Sequence, residues 1–353
     1  MYRKIMGFLE AWKESEHRKP LILQGARQVG KTYSILEFGR THYENVAYFN
    51  FETNPRLNET FEENISPDYL IPILSHIAGQ TIVKEKTLIV FDEVQLCERA
   101  LTSLKYFCED APDYHIIVAG SLLGVAVNRA KFSFPVGKVD MKTLYPMDME
   151  EFMLALGEDD LVEQIKKCFQ TDTPLPSALH DAAMQLYRQY LVVGGMPECV
   201  MQFAETKDYI LVRHTQDTIL ASYLNDMSKY NNLNEIKKTR LAYDNITVQL
   251  SKKNTCFQYK LIKKGGRASE FENAIEWLCL SGIVSQVYKV EQIKKPLENY
   301  RDIDAFKIYV SDLGLLCAKK DLAANDILYM VEEINDFKGG MAETMSMCSS
   351  PLT

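Results

Sequence analysis

The chain has 353 residues, 46% hydrophobic and 25% charged, a globular composition with more chain than one ordinary core absorbs, so two or three domains are expected. Its eight cysteines include no Cys-x-x-Cys pair, which speaks against zinc and dithiol redox motifs and suits a reducing compartment. A net charge of −8 argues against non-specific nucleic-acid binding by the chain as a whole.

The opening stretch MYRKIMGFLEAW alternates charged and apolar residues like an amphipathic helix and lacks the apolar run of a signal peptide. No segment offers the roughly 20 apolar residues of a membrane helix. A cytoplasmic protein with no membrane partner is expected. LILQ (21–24) reads as a short buried strand, followed at once by a glycine-rich turn and a helix from Thr32 to about Tyr43. NVAYFNFE (45–52) is strand-like, a proline-containing helix covers roughly 67–79, and TLIVFDE (87–93) is the next apolar strand. A helix over 98–110, the strand HIIVAGS (115–121) and a last strand near 138–145 complete the alternation. Strands separated by helices of this length predict an α/β fold: a parallel sheet with helices on both faces.

Two segments in this half carry chemistry. Gly25–Thr32 reads Gly-x-x-x-x-Gly-Lys-Thr, which a chain of this length matches by chance about one time in a hundred or less. It has a strand before it and a helix after it, the setting in which backbone N–H groups and a helix N-terminus cradle a phosphate. Gly25, Ala26, Arg27, Gln28, Val29, Gly30, Lys31, Thr32 and Tyr33 are therefore the candidate nucleotide-binding residues. Lys31 would reach the outer phosphates and Thr32 would ligate Mg²⁺. Asp92, at the tip of LIVFDE, is placed as the second metal residue, and Glu93 beside it to polarise a water for attack on the γ-phosphate. A kinase would need an acceptor site and would gain nothing from activating water, so hydrolysis is favoured over transfer. Ser121, ending a strand at the sheet edge where ligands of open α/β sheets bind, is a candidate γ-phosphate sensor; Gly-Ser is also an ordinary turn after a strand.

With these segments in place, the chain resembles the AAA-plus ATPases of bacteria and archaea whose C-terminal half is a domain of unknown function. The matching stretches are LILQGARQVGKT, LIVFDEVQ, IIVAGSLLG, FSFPVGKVDMKTLYPMDMEEF, YLVVGGMPECV and IYVSDLGLLCA, in order along nearly the whole chain. The resemblance implies ATP as the nucleotide, an AAA-type core over 1–147, a helical lid over 148–230, a winged-helix-like module over 231–320, and a remnant of a nuclease-like domain over 321–353. It also implies Lys31, Ser121 and Glu93 as the catalytic set. Family members often carry Gly-Arg where this chain has Gly137-Lys138; Lys lacks the bidentate fork of an arginine finger, and Arg27 and Arg129 are the nearby alternatives.

From Asp148 to about Tyr230 the pattern is helical, broken by TDTPLP and GGMPE. Beyond 233, NEIKKTRLAYDNITVQLSK and ASEFENAIEWLCLSGIV read as helices, and VSQVYKV and FKIYVSD as strands separated by the polar EQIKKPLENYRDIDA, which is winged-helix order. Between Lys229 and Arg267 ten Lys/Arg face two acids, a local balance of +8 that leaves −16 for the remainder. Lys252, Lys253, Lys260, Lys263, Lys264 and Arg267, with Phe257 and Tyr259 interleaved, are candidates for contacting DNA phosphates. A solvated basic face, a contact with the acidic ATPase core, and a protein partner or homo-oligomer are the alternatives. Past FKGGMAE, the last ten residues TMSMCSSPLT show no apolar period. They are expected to be an out-of-frame tail that leaves Glu343 outside any active site and the chain without nuclease activity.

Overall fold

The computed structural model describes residues 1–121, 135–230, 233–251, 256–330, 332 and 335–349. The chain divides into two compact units, one spanning Arg3–Leu144 and the other Tyr145–Thr353 together with Met1 and Tyr2.

The first unit begins with helix α1 (Ile5–Glu14), which buries Ile5, Leu9 and Trp12 from one face. Strands β1 (Leu21–Gly25), β2 (Asn45–Asn50), β3 (Thr87–Asp92), β4 (His115–Ser121) and β5 (Asp140–Thr143) form one sheet in the order β2-β3-β4-β1-β5. Every pairing is parallel. Strands buried on both faces read as continuous apolar runs, and all six residues of β3 are buried. Helices α2 (Lys31–His42), α3 (Arg56–Glu63), α4 (Pro67–Ala78) and α5 (Glu98–Asp110) connect the strands. The core gathers around Phe91, whose ring lies 5.6–6.0 Å from those of Phe49, Phe51 and Phe61. Truncating a buried Phe of this kind costs about 3–5 kcal/mol.

Parallel register determines which strand tips meet. Gly25 of β1 lies beside Ser121 of β4, and Asn50 of β2 beside Asp92 of β3. The ends of four strands therefore converge on one edge of the sheet, where α2 begins. Helix α3 is an element the sequence reading lacks. Its only buried residues are Leu57 and Phe61, an i,i+4 pair too sparse to announce a helix.

The second unit opens with α6 (Met149–Ala155), started by a capping box in which Asp148 accepts from the Glu151 amide at 2.9 Å and Glu151 accepts from the Asp148 amide at 3.3 Å. Helices α7 (Asp159–Gln170), α8 (Ser177–Val193), α9 (Pro197–Thr206) and α10 (Tyr209–Tyr230) follow, as the helical pattern predicts. Then come α11 (Leu233–Leu250), a short α12 (Tyr259–Ile262), α13 (Ala268–Leu280) and an antiparallel pair, β6 (Val284–Val290) with β7 (Arg301–Val310). Strand β7 starts five residues before the expected 306, because Arg301 and Asp302 pair with Val290 and Lys289 across a register shift that leaves 303–305 between them and Phe306.

Helices α14 (Leu313–Lys319), α15 (Ala324–Leu328) and α16 (Asn335–Ser349) end the described chain. Helix α16 runs on through Ser349, so the segment from Thr344 is helical although it shows no apolar period. Thr344 is fully buried, and the Cys348 thiol donates to the Ser311 carbonyl at 3.4 Å. Glu343 accepts from Lys307 Nζ at 2.8 and 2.9 Å and from the Tyr309 hydroxyl at 2.9 Å.

Candidate functional site

The site lies at the C-terminal edge of the parallel sheet. Strand β1 ends at Gly25, and the next turn needs a backbone that side chains resist: Gln28 has φ of +64° and Gly30 +89°. A Cβ on Gly25 would stand 2.3 Å from the Leu144 carbonyl oxygen, so only glycine lets the segment after β5 pass so close. Lys31 opens α2, and its Nζ donates to the carbonyls of Ala26 (2.8 Å) and Gly25 (3.0 Å) of its own loop. Burial pulls its pKa down to about 8, against the opposing pull of Glu93 and Asp92. The buried guanidinium of Arg3 donates to the Val29 carbonyl at 2.9 Å and ties the N-terminal segment to the loop. Tyr33, on α2, is 52% exposed.

Two strands away, Asp92 ends β3 with its carboxylate buried. Oδ2 accepts from Thr32 Oγ1 at 3.0 Å and from the Tyr48 hydroxyl at 2.6 Å, while Oδ1 accepts from the Glu93 amide at 3.0 Å. The phosphate-loop threonine and the strand-tip acid, sixty residues apart in sequence, are thus in direct contact. Burial, then the bond to Asp92, raises the Tyr48 hydroxyl to about 12, so it stays a donor. Glu93 is half-buried in a left-handed backbone conformation, φ +53°, and its Oε2 accepts from Gln95 Nε2. This bend lets two successive acids leave one strand in different directions. Thr32 and Asp92 offer the hydroxyl and carboxylate oxygens that suit a hard cation such as Mg²⁺.

Sequence reasoning brought Gly25–Thr32, Asp92 and Glu93 to one place. Ser121 reaches the same edge by register beside Gly25. Tyr48, Gln95 and Arg3 escaped it; Gln95 alone had a local signal, two residues from Glu93. Lys138 pairs with Glu109 at 2.9 Å, and Arg129 lies outside the described residues.

In the second unit Lys260, Lys263, Lys264 and Arg267 are exposed around the turn into α13, with Lys263 paired to Glu270 at 2.9 Å. Lys252 and Lys253 lie outside the described residues. Phe257 is buried and stacked on Phe306 at 5.7 Å, and Tyr259 meets both rings edge-on. Phe257 is therefore a core residue, and the half-buried Tyr259 packs against that core.

The stretches around Gly195 and Asp312 meet in a buried knot. Asp312 caps α14 by accepting from Leu315 N at 2.8 Å, and it accepts from Gly195 N at 2.6 Å. The Met147 amide donates to Gly195 O at 2.7 Å, and the Tyr190 hydroxyl donates to Met147 O at 2.7 Å.

Residues 17–153 match an AAA domain, and residues 184–326 match a domain of unknown function (DUF8612). Among curated proteins none matches the chain. The Walker-type ATPase paby2304 of Pyrococcus abyssi superposes with a TM-score of 0.56 at 12% identity, covering 90% of this chain and 95% of that one. The Aeropyrum pernix ORC1 protein in complex with DNA gives 0.31 at 14% identity over 91% of each chain. The Thermotoga maritima RuvB Holliday junction branch migration motor gives 0.33 at 14%, over 80% of this chain and 87% of its own. The chain thus carries an AAA domain, built on a parallel α/β sheet with a phosphate-loop motif, followed by a domain of unknown function, and it shares its fold with the Walker-type ATPase.

Proposed function

We propose that the chain binds ATP with Mg²⁺ at Gly25–Thr32 and hydrolyses it. The observation that carries this reading is the 3.0 Å bond between Thr32 and Asp92, which joins the phosphate loop to the strand-tip acid. Thr32 and Asp92 would hold the metal, which would neutralise charge on the β- and γ-phosphates. Lys31 would exchange its bonds to the Gly25 and Ala26 carbonyls for phosphate oxygens. Glu93 would take the proton of the attacking water once released from Gln95. Ser121, beside Gly25 in register, is the residue for sensing the γ-phosphate.

The second unit is the output in this reading, with 148–230 as a helical lid and 231–320 as a winged-helix-like module. The order α11, α12, α13, β6, β7 supports that assignment. Exposed Lys260, Lys264 and Arg267 support contact with a phosphate backbone. The outer face of α13, the helix that such modules would offer to a major groove, carries exposed Glu272, Asn273 and Glu276. Carboxylates there oppose insertion into DNA, so any duplex contact would use the basic turn without reading bases. That acidic face also favours the second reading, a nucleotide-gated adaptor for a protein partner with little turnover.

The test is phosphate release from ATP–Mg²⁺ by the chain and by Glu93→Gln, each with and without duplex DNA. Release that vanishes in the variant supports the hydrolase, and stimulation by DNA supports the basic turn as its sensor. Tight ATP binding without release under either condition supports the adaptor. Absence of ATP binding sinks both.

A further inference from the structure

We infer that Tyr48 is a positioning residue that holds the Asp92 carboxylate for the metal ion; this rests on the ATP–Mg²⁺ reading above. Tyr48 and Asn50 stand two residues apart on β2 and so share a face of the sheet. A chain of hydrogen bonds starts at the Asn50 carboxamide, whose oxygen accepts from the Glu52 and Thr53 amides, both at 2.9 Å. With that oxygen engaged, Asn50 Nδ2 faces the Tyr48 hydroxyl and donates to it at 3.2 Å. The phenolic proton then points to Asp92 Oδ2 at 2.6 Å, the oxygen that Thr32 Oγ1 also reaches.

The chain has a direction, Asn50 to Tyr48 to Asp92, and it ends on the two groups that the metal would need together. Asp92 Oδ1 is engaged by the Glu93 amide, so donors fix both carboxylate oxygens and with them the plane of the group. Without the phenol, Thr32 alone among the described residues would hold Oδ2. The Tyr48 side chain is 38% exposed, so its ring does little for the core; what the residue contributes is the hydroxyl at the end of the ring. A phenol spans the gap from β2 to the tip of β3 that a shorter hydroxyl on the same strand would leave open. The bond is made to a charged acceptor and is correspondingly strong.

The experiment compares ATP affinity in Mg²⁺ and in EDTA for the full chain and for Tyr48→Phe, which keeps the ring and removes only the hydroxyl. Calorimetry on each protein reports the factor by which Mg²⁺ tightens binding. The expected result is that this factor falls about tenfold in Tyr48→Phe while affinity in EDTA is unchanged. An unchanged factor overturns the inference, as does an equal loss in both buffers, which would mark a purely structural bond. A larger factor also overturns it, since the hydroxyl would then compete with the metal. If the parent chain binds ATP with no gain from Mg²⁺, the metal-site reading itself fails, and the parent measurement alone reveals that. Asp92→Asn is the reference: it should abolish the gain in the parent and leave Tyr48→Phe with nothing further to lose.

Discussion

The Lys31 ammonium donates to the carbonyl oxygen of Ala26 at 2.8 Å, so the phosphate loop holds its own lysine. Burial lowers this lysine from 10.5 to about 8. The folded value lies below the unfolded one, so the cost of carrying the charge in the folded loop is fully present below pH 8 and fades as pH rises towards 10.5. This group's contribution to stability therefore grows across that window. Phosphate oxygens would restore the charge. ATP binding at pH 9 should take up close to one proton, and affinity should fall by up to about tenfold per pH unit above 8. Calorimetry at pH 7 and pH 9, in two buffers of different ionisation enthalpy, measures both effects.

Gly25 and Gly7 make opposite predictions from one substitution. A Cβ on Gly25 meets the Leu144 carbonyl at 2.3 Å, a backbone atom that cannot turn aside. Gly25→Ala should lose about 1–3 kcal/mol of stability and weaken ATP binding. Gly7, exposed within α1, has none of the described residues within 4 Å of its would-be Cβ. Gly7→Ala should gain about 0.5–1 kcal/mol through helix propensity alone. Urea denaturation of the two variants beside the parent gives both numbers, and the same sign for both would contradict the steric account.

Asp312 is buried, and desolvation raises it to about 6 even though the amides of Leu315, Gly195, Gly314 and Met196 pull the other way. Its folded pKa lies above the unfolded one, so its contribution is fully present below about pH 4 and is lost as pH rises through 6. Asp312→Asn presents a donor to one of two donors, Gly195 N or Leu315 N. It should destabilise the second unit by about 1–3 kcal/mol and flatten this part of its pH dependence. Fluorescence of Trp277 during denaturation, in a Trp12→Phe background, isolates the unit concerned.

For duplex DNA the expected behaviour is charge-driven. Lys260→Glu with Lys264→Glu should reduce the slope of log affinity against log salt by about 2, with no change in sequence preference. Glu272→Lys with Glu276→Lys should tighten binding if the outer face of α13 approaches the duplex. A DNA titration at three salt concentrations distinguishes these, and indifference to all four changes would favour a protein partner.

Much of the first unit was legible because its signals are local. LIL and TLIVFD are buried on both faces, so burial shows as unbroken apolar runs, and the Gly-x-x-x-x-Gly-Lys-Thr pattern of Gly25–Thr32 lies in eight consecutive residues. Helix α3 was hidden because RLNETFEE buries just two side chains. The polar start of β7 was hidden because Arg301 and Asp302 join the ladder through their partners in β6 and not through hydrophobic alternation. In the tail, α16 continues through Ser349 with Thr344 buried, although its composition lacks a regular apolar stripe.

By itself the sequence determined the α/β order, the phosphate loop and the acids that end β3, because each depends on neighbours in the chain. Only the tertiary structure decided that Tyr48 reaches Asp92, that Asp312 holds Gly195, and that the outer face of α13 is acidic although the run before it is basic. Those relationships depend on parallel register and on which side of a helix is buried. Both are fixed when distant segments exclude water together, a condition that no single stretch of chain encodes.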